Sequence, residues 1–193
     1  MKLYLVRHGQ SERNVGKKIY TGQTDVNLTE VGVEQAQAIR PILAPISFDR
    51  VYSSDLIRAI RTQENALPFP NPVRTPLIRE YDVGELAGKA VDEIVQKYGN
   101  DHGKRRDYTR FGGENNAMVD ARVGAFLKEL EENPAENVAA FTHNGTLVSF
   151  LRHVLKADVI SPNAAASNNC AIHVMEYDGK AWKLLAWNYM GKL

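Results

Sequence analysis

Residues 3–14 read LYLVRHGQSERN: the apolar run Leu3 to Val6 passes straight into Arg7, His8 and Gly9. Short, apolar and stopped by a turn residue, the run has the pattern of a buried strand. Segments 49–53 (DRVYS), 137–142 (NVAAFT) and 170–177 (CAIHVMEY) repeat it, and WKLLAWNYM at 182–190 predicts a last strand. Helical patterns lie between them. The first starts at Thr29 as N-cap, carries Val31, Gln35, Ala38, Ile39 and Ile42, and stops at Pro45. The second takes Asp55 as its cap and runs through Ile57, Ile60 and Glu64 to the proline-rich LPFPNPVRTP at 67–76. Residues 91–98 and 115–132 predict two more, the longer with Met118, Val119, Val123, Phe126, Leu127 and Leu130 on one face. A fifth, 145–156, turns Leu147, Val148, Leu151, Val154 and Leu155 inward. Strands alternating with helices predict an α/β layered fold with a largely parallel sheet, in one domain spanning 1–193.

Composition narrows the function classes. Hydrophobic residues make up 44% and charged residues 24%, the balance of an ordinary water-soluble protein. A formal net charge of +1 gives no general push toward nucleic acid or an anionic membrane, so neither is an expected partner and any pull on an anion must be local. Cys170 is the single cysteine, which excludes an internal disulfide and a thiolate metal cage and fits a reducing compartment. The run at 3–6 is too short for a membrane span or a signal-peptide core, so a cytoplasmic location is expected. His102, His153 and His173 show no ligand spacing with acids or with Cys170; no metal and no cofactor are expected.

In open parallel sheets ligands bind at the carboxyl ends of strands, near the helix N-termini that follow. Three such ends read Arg7-His8-Gly9, Ser53-Ser54-Asp55 leading to Arg58, and Thr142-His143-Asn144-Gly145. Each alone is an ordinary turn: RHG a solvated corner, SSDLIRA a helix start, THNG a strand-to-helix connection. Together they gather two arginines and two histidines at equivalent positions.

The order LVRHGQSERN, TGQTDVNLTEVGVEQA, VYSSDLIRAIRT, LIREYDVGELAGK and FTHNGTL, with GGENNAMVDARVGAFLKEL before the last, resembles the histidine phosphatase superfamily. The likeness spans residues 3 to about 150. It implies the three-layer α/β/α, phosphoglycerate-mutase-like architecture. It also implies that His8 is a nucleophile that becomes phosphohistidine, with Arg7 and Arg58 as a charge clamp and His143 as a further donor. Asn14, Thr21, Gly22 and Asn144 would complete the phosphate pocket, with backbone N–H groups near Gly9 and Asn144 and the positive end of the helix at Gly145. The residue types suit the task. Phosphate monoesters hydrolyse extremely slowly unaided, so charge stabilisation and a covalent relay both help. Arginine presents planar, permanently charged donors to phosphoryl oxygens, and its charge disfavours the imidazolium form of a neighbouring histidine.

A leaving alkoxide needs a proton, and LIREYDVGELAG offers Glu80, Asp82 and Glu85; spacing to Gly84 and Gly88 matches the family pattern at Glu80. Three positions depart from the pattern. Gln10 replaces a common Glu, Asn144 replaces a common Gly whose left-handed backbone Asn can also adopt, and Leu86-Ala87 replaces a frequent Trp-Glu. The segment 97–114 is expected to cover the site, where Lys104, Arg105, Arg106 and Arg110 could meet a second anionic group. Family mutases are longer between the acid and the second histidine. The compact chain therefore resembles the phosphatase branch, of broad-specificity or alpha-ribazole phosphatase type, acting on a small phosphorylated metabolite. Two rivals are a cofactor-dependent phosphoglycerate mutase and a non-catalytic phospholigand-binding module. An oligomer is not indicated.

Overall fold

In the computed structural model the described residues are 1–157 and 165–191, apart from the side chains of 102 and 104. Among the described residues six strands form one sheet: β1 Lys2–Arg7, β2 Arg50–Ser54, β3 Val73–Thr75, β4 Asn137–Thr142, β5 Ile172–Tyr177 and β6 Trp182–Tyr189. Their order is β3-β2-β4-β1-β5-β6. The first four are mutually parallel, while β5 and β6 complete the sheet antiparallel. The helices are α1 Glu30–Ala38, α2 Arg40–Leu43, α3 Ile57–Ala66, α4 Val91–Tyr98, α5 Asp101–Arg105, α6 Asn116–Glu132 and α7 Asn144–Leu155.

The two-residue period of a strand divides the apolar run of β1 between two cores. Leu3 and Leu5 join Val138 and Ala140 of β4 against Val119, Val123, Phe126, Leu127 and Leu130 of α6 and Leu147 and Phe150 of α7. Tyr4 and Val6 join Ala139 and Phe141 against Ala36 of α1, Leu43 of α2 and Ala66 of α3. The sheet is thus covered on both faces, the three-layer arrangement. Phe126 sets its ring edge-on to Tyr52 and Phe150, with centroids 5.1 and 6.0 Å away.

Several expectations need correction. The first helix breaks after Ala38, although Thr29 does cap it by accepting the Gly32 N–H at 3.0 Å. Asp55 does not cap α3. Its carboxylate is drawn 2.6 Å from both Nε and Nη2 of Arg79, and Asp25 from a distant loop accepts the Ile57 N–H at 2.9 Å instead. Leu155, assigned to an inward face, is about half exposed, as is Met118 at the end of the apolar face of α6. β3 lies hidden among prolines; as an edge strand it needs only one hydrogen-bonded side, which the flanking prolines permit. Among the described residues no helix is long and apolar enough to cross a membrane.

Candidate active site

Because β4 lies between β1 and β2, the three carboxyl ends carrying His8, Arg58 and His143 meet at one edge of the sheet. A cavity of about 580 Å³ opens there, walled by Arg7, His8, Arg58, Glu80, Arg106 and Tyr108 among others.

His8 is buried, with its backbone N–H on Thr142 O at 3.0 Å and its carbonyl accepting Asn169 Nδ2 at 2.9 Å. Its Nδ1 stands 2.7 Å from the Gly9 carbonyl oxygen. A carbonyl can only accept, so the proton is assigned to Nδ1 and Nε2 keeps its lone pair. Burial, then the charges of Arg58 and Arg7, hold the ring well below its usual pKa, with the Gly9 carbonyl pulling the other way. The ring is neutral at physiological pH.

Gly9 corrects one expectation. Its N–H donates to Thr62 Oγ1 at 2.9 Å and is not available to a phosphate. Packing explains the glycine: a Cβ at this position would lie 2.5 Å from the carbonyl oxygen of Gly32. Glycine lets the turn after β1 touch α1 backbone to backbone. Gln10 in turn accepts the Thr29 hydroxyl through Oε1 at 2.9 Å, beside the α1 cap.

Arg58 is 2% exposed and spends Nη1 on Thr24 O at 2.9 Å and Nη2 on Gly22 O at 2.8 Å. Burial lowers its pKa to about 10, still charged at neutral pH. Gly22 has φ +52, where a Cβ would run into Val83. That left-handed turn aims the carbonyls of Gly22 and Thr24 at the guanidinium. Arg7 donates through Nη1 to Ser167 O, and its buried Nε has no partner among the described residues. Burial lowers the Arg7 pKa, and the Glu80 charge opposes that shift.

His143 is fully buried, its ring 5.2 Å from that of His8 at 54°. Nε2 lies 2.9 Å from Ser54 Oγ, while Nδ1 has no partner among the described residues. Ser54 Oγ already accepts the Leu56 N–H, so its own proton is best placed on Nε2, which puts the imidazole proton on Nδ1. Burial, then Arg58 and His8, keep this ring neutral too.

Of the three acids, Glu80 alone lines the cavity. Its Oε1 accepts the Tyr81 N–H at 2.9 Å and its Oε2 the Gly145 N–H at 3.0 Å, at the first turn of α7. A side chain at Gly145 would strike that carboxylate and the Tyr81 ring. Asp82 instead closes its own turn onto the Gly84 N–H at 2.8 Å, and Glu85 is exposed.

Asn14, Thr21, Gly22 and Asn144 all reach the cavity. Asn14 accepts Ser11 N–H and Oγ–H through Oδ1, at 2.9 and 3.0 Å, leaving Nδ2 as its donor. Asn144 is the first residue of α7 with ordinary helical backbone, not the left-handed turn expected. Of the basic run only Arg106 is seen at the cavity. Arg105 is exposed, Arg110 stacks on Tyr98 and Phe111 at 4.8 and 4.5 Å, and the side chains of Lys104 and His102 lie outside the described residues. Arg106 adopts φ +50, sits 5.6 Å over the Tyr81 ring, and buries an Nη1 without a partner among the described residues. Lys18, Tyr20, Tyr81 and Tyr108 line the cavity and were not anticipated. Lys18 and Tyr20 stand just before the Thr21-Gly22 pair, a neighbourhood that could have revealed them. Away from the site, His153 is exposed, with Nε2 on Asp120 O at 2.9 Å, and His173 is a buried core residue.

Comparison with known proteins agrees. A 2,3-bisphosphoglycerate-dependent phosphoglycerate mutase of Cytophaga hutchinsonii is 33% identical over 176 residues, 85% of this chain and 80% of the relative. A broad-specificity phosphatase of Saccharomyces cerevisiae is 29% identical over 187 residues, covering 92% and 80%. A mycobacterial glucosyl-3-phosphoglycerate phosphatase, solved in complex with VO3, superposes with a TM-score of 0.86 at 27% identity, over 97% of this chain and 98% of that one. The family model of branch 1 matches residues 3–190, and the chain belongs to the histidine phosphatase superfamily.

Proposed function

We propose that the protein is a metal-independent phosphomonoesterase that hydrolyses a small phosphorylated metabolite through a phosphohistidine on His8. The observation that carries this is an imidazole whose Nδ1 faces the Gly9 carbonyl, leaving Nε2 free of its proton, in one cavity with buried Arg58, partly buried Arg7 and one carboxyl group. In the first step Nε2 attacks phosphorus and the bond to the leaving oxygen breaks. Glu80, entering protonated, gives that oxygen its proton, so an alcohol departs. In the second step the Glu80 carboxylate takes a proton from water as the oxygen attacks phosphorus. The P–N bond breaks, inorganic phosphate leaves, and neutral His8 and protonated Glu80 return. Arg7, Arg58, Asn14 and the Nδ1–H of His143 are the donors for the phosphoryl oxygens. Thr21, Gly22 and Asn144 shape the pocket around them.

Rapid quenching with a 32P-labelled ester tests the scheme. Acid-labile, alkali-stable label should appear on the protein and vanish in His8→Ala, and full turnover by that variant overturns it. The mutase relatives favour a second reading, transfer of the phosphoryl group to another hydroxyl. With 3-phosphoglycerate and a trace of the bisphosphate, isomerisation without release of phosphate would decide for it. The single, buried Cys170 supports a reducing, cytoplasmic setting.

A further inference from the structure

The segment that presents Glu80 is clasped by an ion pair that the proposed reaction leaves unused. Arg122, on α6, donates Nη1 to the Leu77 carbonyl at 2.9 Å and Nη2 to the Glu80 carbonyl at 3.1 Å. Its Nε meets Glu114 Oε1 at 3.0 Å and its Nη2 meets Oε2 at 3.2 Å. Glu114 closes the clasp: Oε2 accepts the Asp82 N–H at 2.8 Å and its own N–H donates to the Asp82 carbonyl at 2.8 Å. Both side chains are 14% exposed. The backbone is therefore gripped before Glu80, at Glu80 and two residues after it.

A pair this deeply placed is a poor device for stability, because removing two charges from water offsets much of their attraction. A planar guanidinium that spends its donors on the carbonyls of one short segment fixes position instead. Proton transfer demands such fixing: donor and leaving oxygen must come within about 2.6–3.2 Å. Glu114 also accepts the Tyr108 N–H on its carbonyl at 3.0 Å. The Tyr108 part of the cavity wall thus shares its anchor with the proton donor.

We propose that Arg122, braced by Glu114, is a positioning residue that sets the Glu80 carboxyl group against the leaving oxygen. The proposal rests on Glu80 being the proton donor. The comparison is of kcat/KM, which reports steps only through departure of the leaving group and so leaves out the water step that Glu80 also serves. It sets p-nitrophenyl phosphate, whose leaving group departs without help, against an alkyl phosphate, whose leaving group needs the proton. Glu80→Gln should lose kcat/KM on the alkyl ester far more than on the aryl ester. Arg122→Met should show the same selective loss in kcat/KM, roughly ten- to a hundredfold on the alkyl ester. Glu114→Gln should fall between, and Arg122→Lys should restore part of the loss; these two serve if Arg122→Met does not fold. Equal losses on both esters in the Arg122 and Glu114 variants, alongside a selective loss in Glu80→Gln, overturn the positioning role. Equal losses in Glu80→Gln itself overturn the assignment of Glu80, and the positioning role with it.

Discussion

Acidification should destabilise this protein through a histidine that takes no part in the proposed chemistry. His173 is fully buried in β5, its ring 4.0 Å from that of Trp187. Its Nδ1 accepts the Asn188 N–H at 3.2 Å, which places the proton on Nε2, 2.9 Å from Ser167 Oγ. A second proton on Nδ1 would point at that N–H. Burial first, and then the charge of Arg7, lower its pKa from 6.5 to about 3. Between those values the unfolded chain binds a proton that the folded chain refuses, so stability present above pH 6.5 is lost progressively as pH falls toward 3. At about pH 5 the loss from this one residue is RT ln(1 + 10^1.5), about 2 kcal/mol. His8 and His143, lowered in the same direction, add to it. Urea unfolding at about pH 7.5 and about pH 5 measures the drop in wild type and in His173→Gln. The variant loses packing on Trp187 at both pH values, and the difference between the two drops removes that constant cost. Wild type should drop by about 2 kcal/mol more than the variant. Equal drops would refute the neutral, Nε2-protonated assignment.

Gly9→Ala should lower stability by about 1–3 kcal/mol, since its new Cβ meets a helix backbone rather than a yielding side chain, and should slow turnover through the adjacent His8. A thermal scan that matches wild type excludes this contact. Arg106→Ala should raise KM for esters whose leaving group carries a carboxylate, by roughly ten- to a hundredfold for a charged hydrogen bond of about 1.5–3 kcal/mol, while phenyl phosphate is unaffected. Steady-state kinetics on the two substrate types decide it, and equal changes count against a leaving-group contact. Phe126→Ala should cost about 3–5 kcal/mol in urea unfolding, because the ring is fully buried between α6 and the sheet.

The strand ends were legible because the rule that locates ligands in parallel sheets depends only on strand order and polarity. LYLVRHG, NVAAFTHNG and VYSSDLIR state both, as short apolar runs that end in chemistry. What stayed hidden depended on partners remote in sequence. Asp55 looks like a cap until Arg79 claims it, and Gly9 looks like a phosphate turn until Gly32 is found against it. Arg106 could not be told from Arg105 and Arg110, because its own left-handed backbone carries no side-chain signature. β3 escaped for a related reason: a three-residue edge strand carries too little pattern to outweigh the prolines around it.

The near-neutral sequence conceals a strongly charged site. Among the described residues Arg7, Lys18, Arg58 and Arg106 line the cavity with one carboxyl group, that of Glu80, a formal +3 with that group ionised and His8 neutral. The protein as a whole carries +1, so the rest of the chain is on balance slightly negative and the cavity concentrates positive charge that the overall balance does not reveal. This charge acts in two stages in the proposed reaction. Before substrate arrives, Arg58 and Arg7 penalise a charged His8 and so keep the nucleophile ready. A phosphate dianion then neutralises those same guanidinium groups, and the positive charge that grows on the imidazole as Nε2 forms its bond to phosphorus is no longer opposed. The Gly9 carbonyl, already on Nδ1–H, accepts a stronger hydrogen bond at that moment. The arginines therefore favour the neutral ring in the free enzyme and cease to oppose the charged ring in the transition state, with the substrate's own charge making the exchange.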